Sequence, residues 1–180
     1  HMVTAAYDGD GTFDGNVSAP LTQGVDKASS VTTVDAAPNP AIYGAEVVFQ
    51  ATVDAATPGK GVPAGLVTFK ANGTTIGTGS IDGVGMATLT WAGLMPGSRT
   101  IVAGYGGDGN FLASSSGILA QAIKKVPTAT ALSITPNPAN IDQPVVLTAS
   151  VAALAQNSAL TAAVMPAGNV NFRAGDVLLA

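Results

Sequence analysis

The chain has no cysteine. Disulfides, thiolate nucleophiles and thiolate metal sites are excluded together. Its only histidine is His1, and Glu46 is its only glutamate. A nucleophile–base pair would need lysine or a carboxylate, and nothing in the sequence sets one beside a serine, so no catalytic residue is expected. Charged residues make up only 10% of the chain, and its seven Lys and Arg are scattered. Neutralising phosphates takes a basic stripe, so nucleic acid is not an expected partner. No uncharged apolar run approaches the roughly 18 residues of a membrane-spanning helix. Gln156, Asn157 and Ser158 break the Ala-rich stretch 145–167. Helical periodicity is nearly missing too, with 152–163 the one candidate for a helical turn. The GDG glycines lack the strand-to-helix setting of a phosphate loop.

What the chain does have is a repeat. Residues 3–27 return at 101–125 with a constant offset of 98. Ala5, Tyr7, Gly9, Asp10, Gly11, Phe13, Ser18, Leu21, Gln23 and Lys27 are identical to their counterparts. Residues 31–53 return at 129–151 at the same offset, keeping Pro38, Asn39, Pro40, Val47, Val48, Ala51 and Val53. VPAGLVTFKA (62–71) returns as MPAGNVNFRA (165–174) at offset 103. A fixed period of this size is the signature of a tandem array. The expected organisation is the last strands of one repeat over 1–28, a complete repeat over 29–126, and the first strands of another over 127–180. His1-Met2 reads as a cloning scar, and the chain as a piece of a longer protein.

Short alternating segments separated by turn residues predict an all-β fold. Strands are expected near 31–36, 46–53, 66–71, 74–80, 84–91, 100–106 and 112–123. In EVVFQATV the side chains of Val47, Phe49, Ala51 and Val53 share one face, which a period of two turns toward a core. Val67 with Phe69, and Ile101 with Ala103 and Tyr105, repeat the pattern. Pro38-Asn39-Pro40 breaks the first strand, because proline cannot donate to a ladder. Asn72-Gly73 signals a hairpin. MPG (95–97) and GGDG (106–109) are further turns.

Seven short strands in 98 residues suggest an immunoglobulin-like antiparallel β-sandwich. The ordered motifs Pro38-Asn39-Pro40, Val47–Val53, Pro63–Phe69, Ala87–Thr90 and Thr100–Ser114 resemble the bacterial Ig-like repeats of large surface and secreted proteins. The resemblance covers nearly all the chain. It implies a disulfide-free sandwich used as spacer, stalk or adhesive module at the cell surface or outside the cell. It implies little about a ligand.

Asp8, Asp10 and Asp14, with Asp108 in the counterpart loop, are calcium candidates, because alternate oxygen ligands are how a short loop wraps a hard cation. Ala19 stands where an EF-hand loop would put its bidentate acid. The competing and favoured reading is that Asp10 and Asp108 hydrogen-bond the backbone of a Gly-rich hairpin. Apart from calcium no cofactor is expected. Trp91 would stack on a sugar if exposed, but its alternation with Ala87 and Leu89 places it at the edge of the core, and the core role is the favoured one. Tyr7 and Tyr105 are expected as packed rings with solvated hydroxyls. Lys70 and Asn72 are the components of an isopeptide crosslink, yet Lys70 points off the face of Phe69 and outward. Loops 54–62 and 152–164 are the candidates for contact with a glycan or protein.

The expected function is non-catalytic: a structural, spacer or adhesive segment. Alternatives are a glycan- or protein-binding module and an accessory region of a secreted enzyme. Expected partners are neighbouring repeats and another copy of this chain, the first strands of one copy meeting the last strands of the next.

Overall fold

The computed structural model describes residues 1–154 and 165–179. Among them there is no helix. The proposed helical turn at 152–163 meets a strand at its start and otherwise lies outside the described residues.

The first strands are short: β1 (Met2–Val3), β2 (Ala6–Tyr7), β3 (Asn16–Val17) and β4 (Leu21–Thr22). A sandwich follows, built from β5 (Ser30–Ala37), β6 (Ala41–Ile42), β7 (Val47–Ala55), β8 (Leu66–Ala71), β9 (Thr74–Ser80), β10 (Met86–Trp91), β11 (Gly97–Tyr105), β12 (Ser114–Ser115) and β13 (Leu119–Lys124). Last come β14 (Thr128–Thr135), β15 (Val146–Ala153), β16 (Arg173–Ala174) and β17 (Val177–Leu178).

One sheet of the sandwich runs β10-β7-β5, and the other runs β6-β13-β11-β8-β9 with β12 added on β11. All these pairs are antiparallel except β6 with β13. The alternation expected in the sequence becomes the core. Val47, Phe49, Ala51 and Val53 of β7 are buried, facing Val67 and Phe69 of β8 and Ile101, Ala103 and Tyr105 of β11. Phe49 and Phe69 meet across the two sheets with ring centroids 6.3 Å apart.

Three of the boundaries that differ from expectation have visible causes. The strand expected from 84 begins at Met86, because the Asp82 carboxylate accepts both the Val84 and Met86 N–H groups and holds 82–85 as a turn. The segment 112–123 is two strands rather than one. There the Ser116 hydroxyl accepts the Ala103 N–H at 3.0 Å in place of a carbonyl, and Gly117 follows. The strand expected from 100 begins at Gly97, because β13 extends beside it and pairs Ile123 with Gly97.

Pro38-Asn39-Pro40 does more than stop a strand. It carries the chain from one sheet to the other, since β5 lies in the first sheet and β6 in the second. The Asn39 side chain imitates a strand at the edge of β13: its amide donates to the Ala120 carbonyl and its oxygen accepts the Ala122 N–H.

Candidate functional site

Two loops contain the calcium candidates, and they are built alike. In the sandwich, Asp108 Oδ1 accepts the N–H groups of Asn110 at 2.7 Å and Phe111 at 2.8 Å. Its other oxygen accepts the Ala64 N–H at 2.8 Å, tying this loop to the segment before β8. In the first loop, Asp10 Oδ1 accepts from Thr12 at 2.7 Å and Phe13 at 2.9 Å, and Oδ2 accepts the Tyr7 hydroxyl at 3.0 Å. Gly9 and Gly107 make both turns possible. Each has a positive φ, and a Cβ on either would fall within 3 Å of backbone atoms across the loop. The sequence's favoured role for Asp10 and Asp108, bonding the hairpin backbone, is what the geometry displays.

The electrostatics follow. The Ala64 N–H first, then those of Asn110 and Phe111, hold Asp108 down to about 2 from the ordinary 3.8. The N–H groups of Thr12 and Phe13, then the Tyr7 hydroxyl, lower Asp10. Bonding to Asp10 raises Tyr7. Asp8 and Asp14 stand on exposed backbone of the first loop. Among the described residues no three His, Cys, Asp or Glu side chains group as a metal site requires.

A pH prediction follows from Asp108. Its folded value lies below its unfolded one, so its stabilisation is present above about pH 4 and is lost as pH falls through about 2. Asp108→Asn keeps an acceptor for Asn110 and Phe111 but turns an amide donor toward the Ala64 N–H. Acid unfolding followed by Trp91 fluorescence should therefore depend less on pH between 4 and 2 in this variant, from a lower starting stability. Calcium tests the other role of these carboxylates. Their oxygens already accept N–H and O–H donors, so millimolar calcium is expected to leave the melting temperature unmoved. A rise would make them ligands.

Two aromatic assignments need correction. Trp91 is 38% exposed and lies outside the buried cluster. Alternation with Ala87 and Leu89 does hold, but β10 is the outer strand of its sheet, and the indole Nε1 folds over Gly93. The Tyr105 hydroxyl is not solvated. It is buried and meets no hydrogen-bond partner among the described residues. Burial, then the nearby Asp108 carboxylate, pushes it up to about 12. Tyr7, at the matching position, is 51% exposed. Lys70 is exposed, as expected, and Asn72 Oδ1 accepts the Thr100 N–H instead of approaching a lysine.

Sequence reasoning missed Gln121. Its side chain is fully buried, and its amide donates to the carbonyls of Pro38 at 3.0 Å and Ala122 at 3.2 Å. The only signal was its recurrence with Gln23.

At the entrance to the sandwich the linker is fastened. Lys27 Nζ donates to the Asp108 carbonyl, the Ala28 N–H to Asn110, and the Leu112 N–H to Ala28. At the exit, the Tyr43 N–H donates to the Lys124 carbonyl. No helix is long and apolar enough to cross a membrane among the described residues.

The family model described as bacterial Ig-like domain (group 3) matches residues 33–124, just over half of the chain. No curated protein matches it.

Proposed function

The chain belongs to the bacterial Ig-like domain family, group 3, and on that premise we propose that it is a spacer: a tandem segment that extends and presents another module outside the cell. Domains of this family are typically non-catalytic parts of extracellular or surface proteins. The observation that carries the spacer reading is the placement of entry and exit. Ser30 at the start of β5 pairs with Ala55, whereas Ala37 at its end pairs with Val48. The exit strand pairs Ile123 with Ala41, just beyond that end of β5. The chain therefore enters the sandwich at one end and leaves at the other. Units joined this way add length rather than fold back. The fastening of Lys27 and Ala28 onto 108–112 stiffens the entry joint.

The test is small-angle scattering on chains carrying one, two and three copies of 29–126. Each copy should add about one strand length, roughly 30 Å for nine residues. A maximum dimension that stays flat would overturn the spacer reading. Specific retention on a glycan array would move the function to binding.

A further inference from the structure

We propose that residues 3–24 of one copy dock into an apolar hollow formed by residues 128–154 and 165–179 of a second copy, so that the chain assembles head to tail.

The hollow measures about 400 Å³ and is lined by Leu132, Ile134, Leu147, Ala149, Val170 and Phe172, among others. At offsets of 98 and 103 these match Val34, Ala36, Phe49, Ala51, Val67 and Phe69 of the sandwich. There the same face is closed by Ile101, Ala103, Tyr105 and Phe111, all in one core. The counterparts of those four are Val3, Ala5, Tyr7 and Phe13, and they lie bare. Ile101, Tyr105 and Phe111 are 0%, 3% and 4% exposed; Val3, Tyr7 and Phe13 are 54%, 51% and 66%. Each surface is the complement that the sandwich shows for the other.

Both partners already hold the sandwich's geometry. Met2 pairs with Thr22 as Thr100 pairs with Ala120, and Tyr7 with Asn16 as Tyr105 with Ser114. Thr128 pairs with Ala153 as Ser30 pairs with Ala55, and Arg173 with Leu178 as Lys70 with Thr75. Preorganised surfaces lose less conformational freedom on docking. The register follows from β11 on β8, where Ile101 faces Ala71 and Tyr105 faces Val67. It sets Val3 against Ala174, and Tyr7 against Val170, of the second copy. Polar contacts follow the same template. Gln23 is placed to donate to the Pro136 carbonyl as Gln121 does to Pro38, and Asn137 to bridge residues 22 and 24 as Asn39 bridges Ala120 and Ala122.

Pairing between copies is favoured over closure within one. Entry and exit lie at opposite ends of the sandwich, separated by the eight residues of β5, roughly 25 Å. Such a contact is heterologous, so it adds copies one after another and generates open chains unless its rotation closes a ring.

The absence of cysteine makes the register testable. Antiparallel partners sit within disulfide reach, so a chain carrying both Val3→Cys and Ala174→Cys should oxidise to a ladder of dimers, trimers and longer species. Each single variant should give no ladder. Leu132→Glu, at an exposed position outside the sandwich, should abolish the ladder while Trp91 reports an unchanged melt. Without crosslinking, mass by light scattering should climb with concentration from 17.6 kDa. A crosslinked monomer would overturn the proposal in favour of internal closure. Failure to crosslink, or a fixed mass, would overturn it outright.

Discussion

Phe69→Ala is expected to cost the sandwich about 3–5 kcal/mol, as truncating a large buried aromatic does. The residue is wholly buried in β8 and meets Phe49 of the opposite sheet. Both rings bridge the layers in a core whose other members include the small Ala51, Ala71, Ala87 and Ala103. Small alanines cannot reach into the space that a lost ring leaves, and the sheets are held apart by their remaining contacts, so the site cannot collapse. A unit this small has a total stability of only about 5–15 kcal/mol, and the loss takes a large share of it. Trp91 is the only tryptophan and lies in β10, so urea unfolding followed by its fluorescence reports the sandwich alone. Val48→Ala is the contrast. Val48 is on β7, beside Phe49, but faces outward, and the expected change is within about 0.5 kcal/mol. Equal effects at the two positions would show that the core is not where the alternation puts it.

The alternation that sets this core was legible because it is local. β8 and β9 have the boundaries read from the sequence, and β7 differs by two residues or fewer at either end. Period-two patterning and turn residues act within a few positions, so one sequence suffices to see them. What stayed hidden depends on partners distant in sequence. The Asp108 turn was expected to bond its own hairpin, but its third bond goes to Ala64, 44 residues earlier. The burial of the Tyr105 hydroxyl follows from the packing around it, which no spacing near Tyr105 announces. Trp91 obeys its alternation and still emerges from the core, because alternation fixes the side of a strand and not the strand's place in the sheet, and β10 is an outer strand. In the sequence Pro38-Asn39-Pro40 shows only as a break. Its work of changing sheets needs the edge of β13, about 80 residues on.

Gln121→Glu should be the most disruptive single-atom-scale change in the sandwich. The side chain is wholly inaccessible, and the Pro38 and Ala122 carbonyls accept from its amide. A carboxylate there would turn an oxygen toward those two carbonyls with no cation to pair it, at an expected cost of at least about 3 kcal/mol at neutral pH. The defect should have a pH signature. The buried acid would have a folded pKa above its unfolded value of about 4.3. The variant should therefore be relatively more stable below about pH 4 and lose that stability as pH rises through the folded value. Gln121→Met separates charge from shape. It forfeits the bond to Pro38, but it also removes the side-chain oxygen that is buried without a partner. Those two changes oppose each other, and the net effect should stay within about 1.5 kcal/mol. If Met proves as damaging as Glu, the bond to Pro38 is itself the fastener that holds the sheet change in place. If only Glu is damaging, the site asks for shape and neutrality, and the Pro38-Asn39-Pro40 crossing is held by Asn39 on β13.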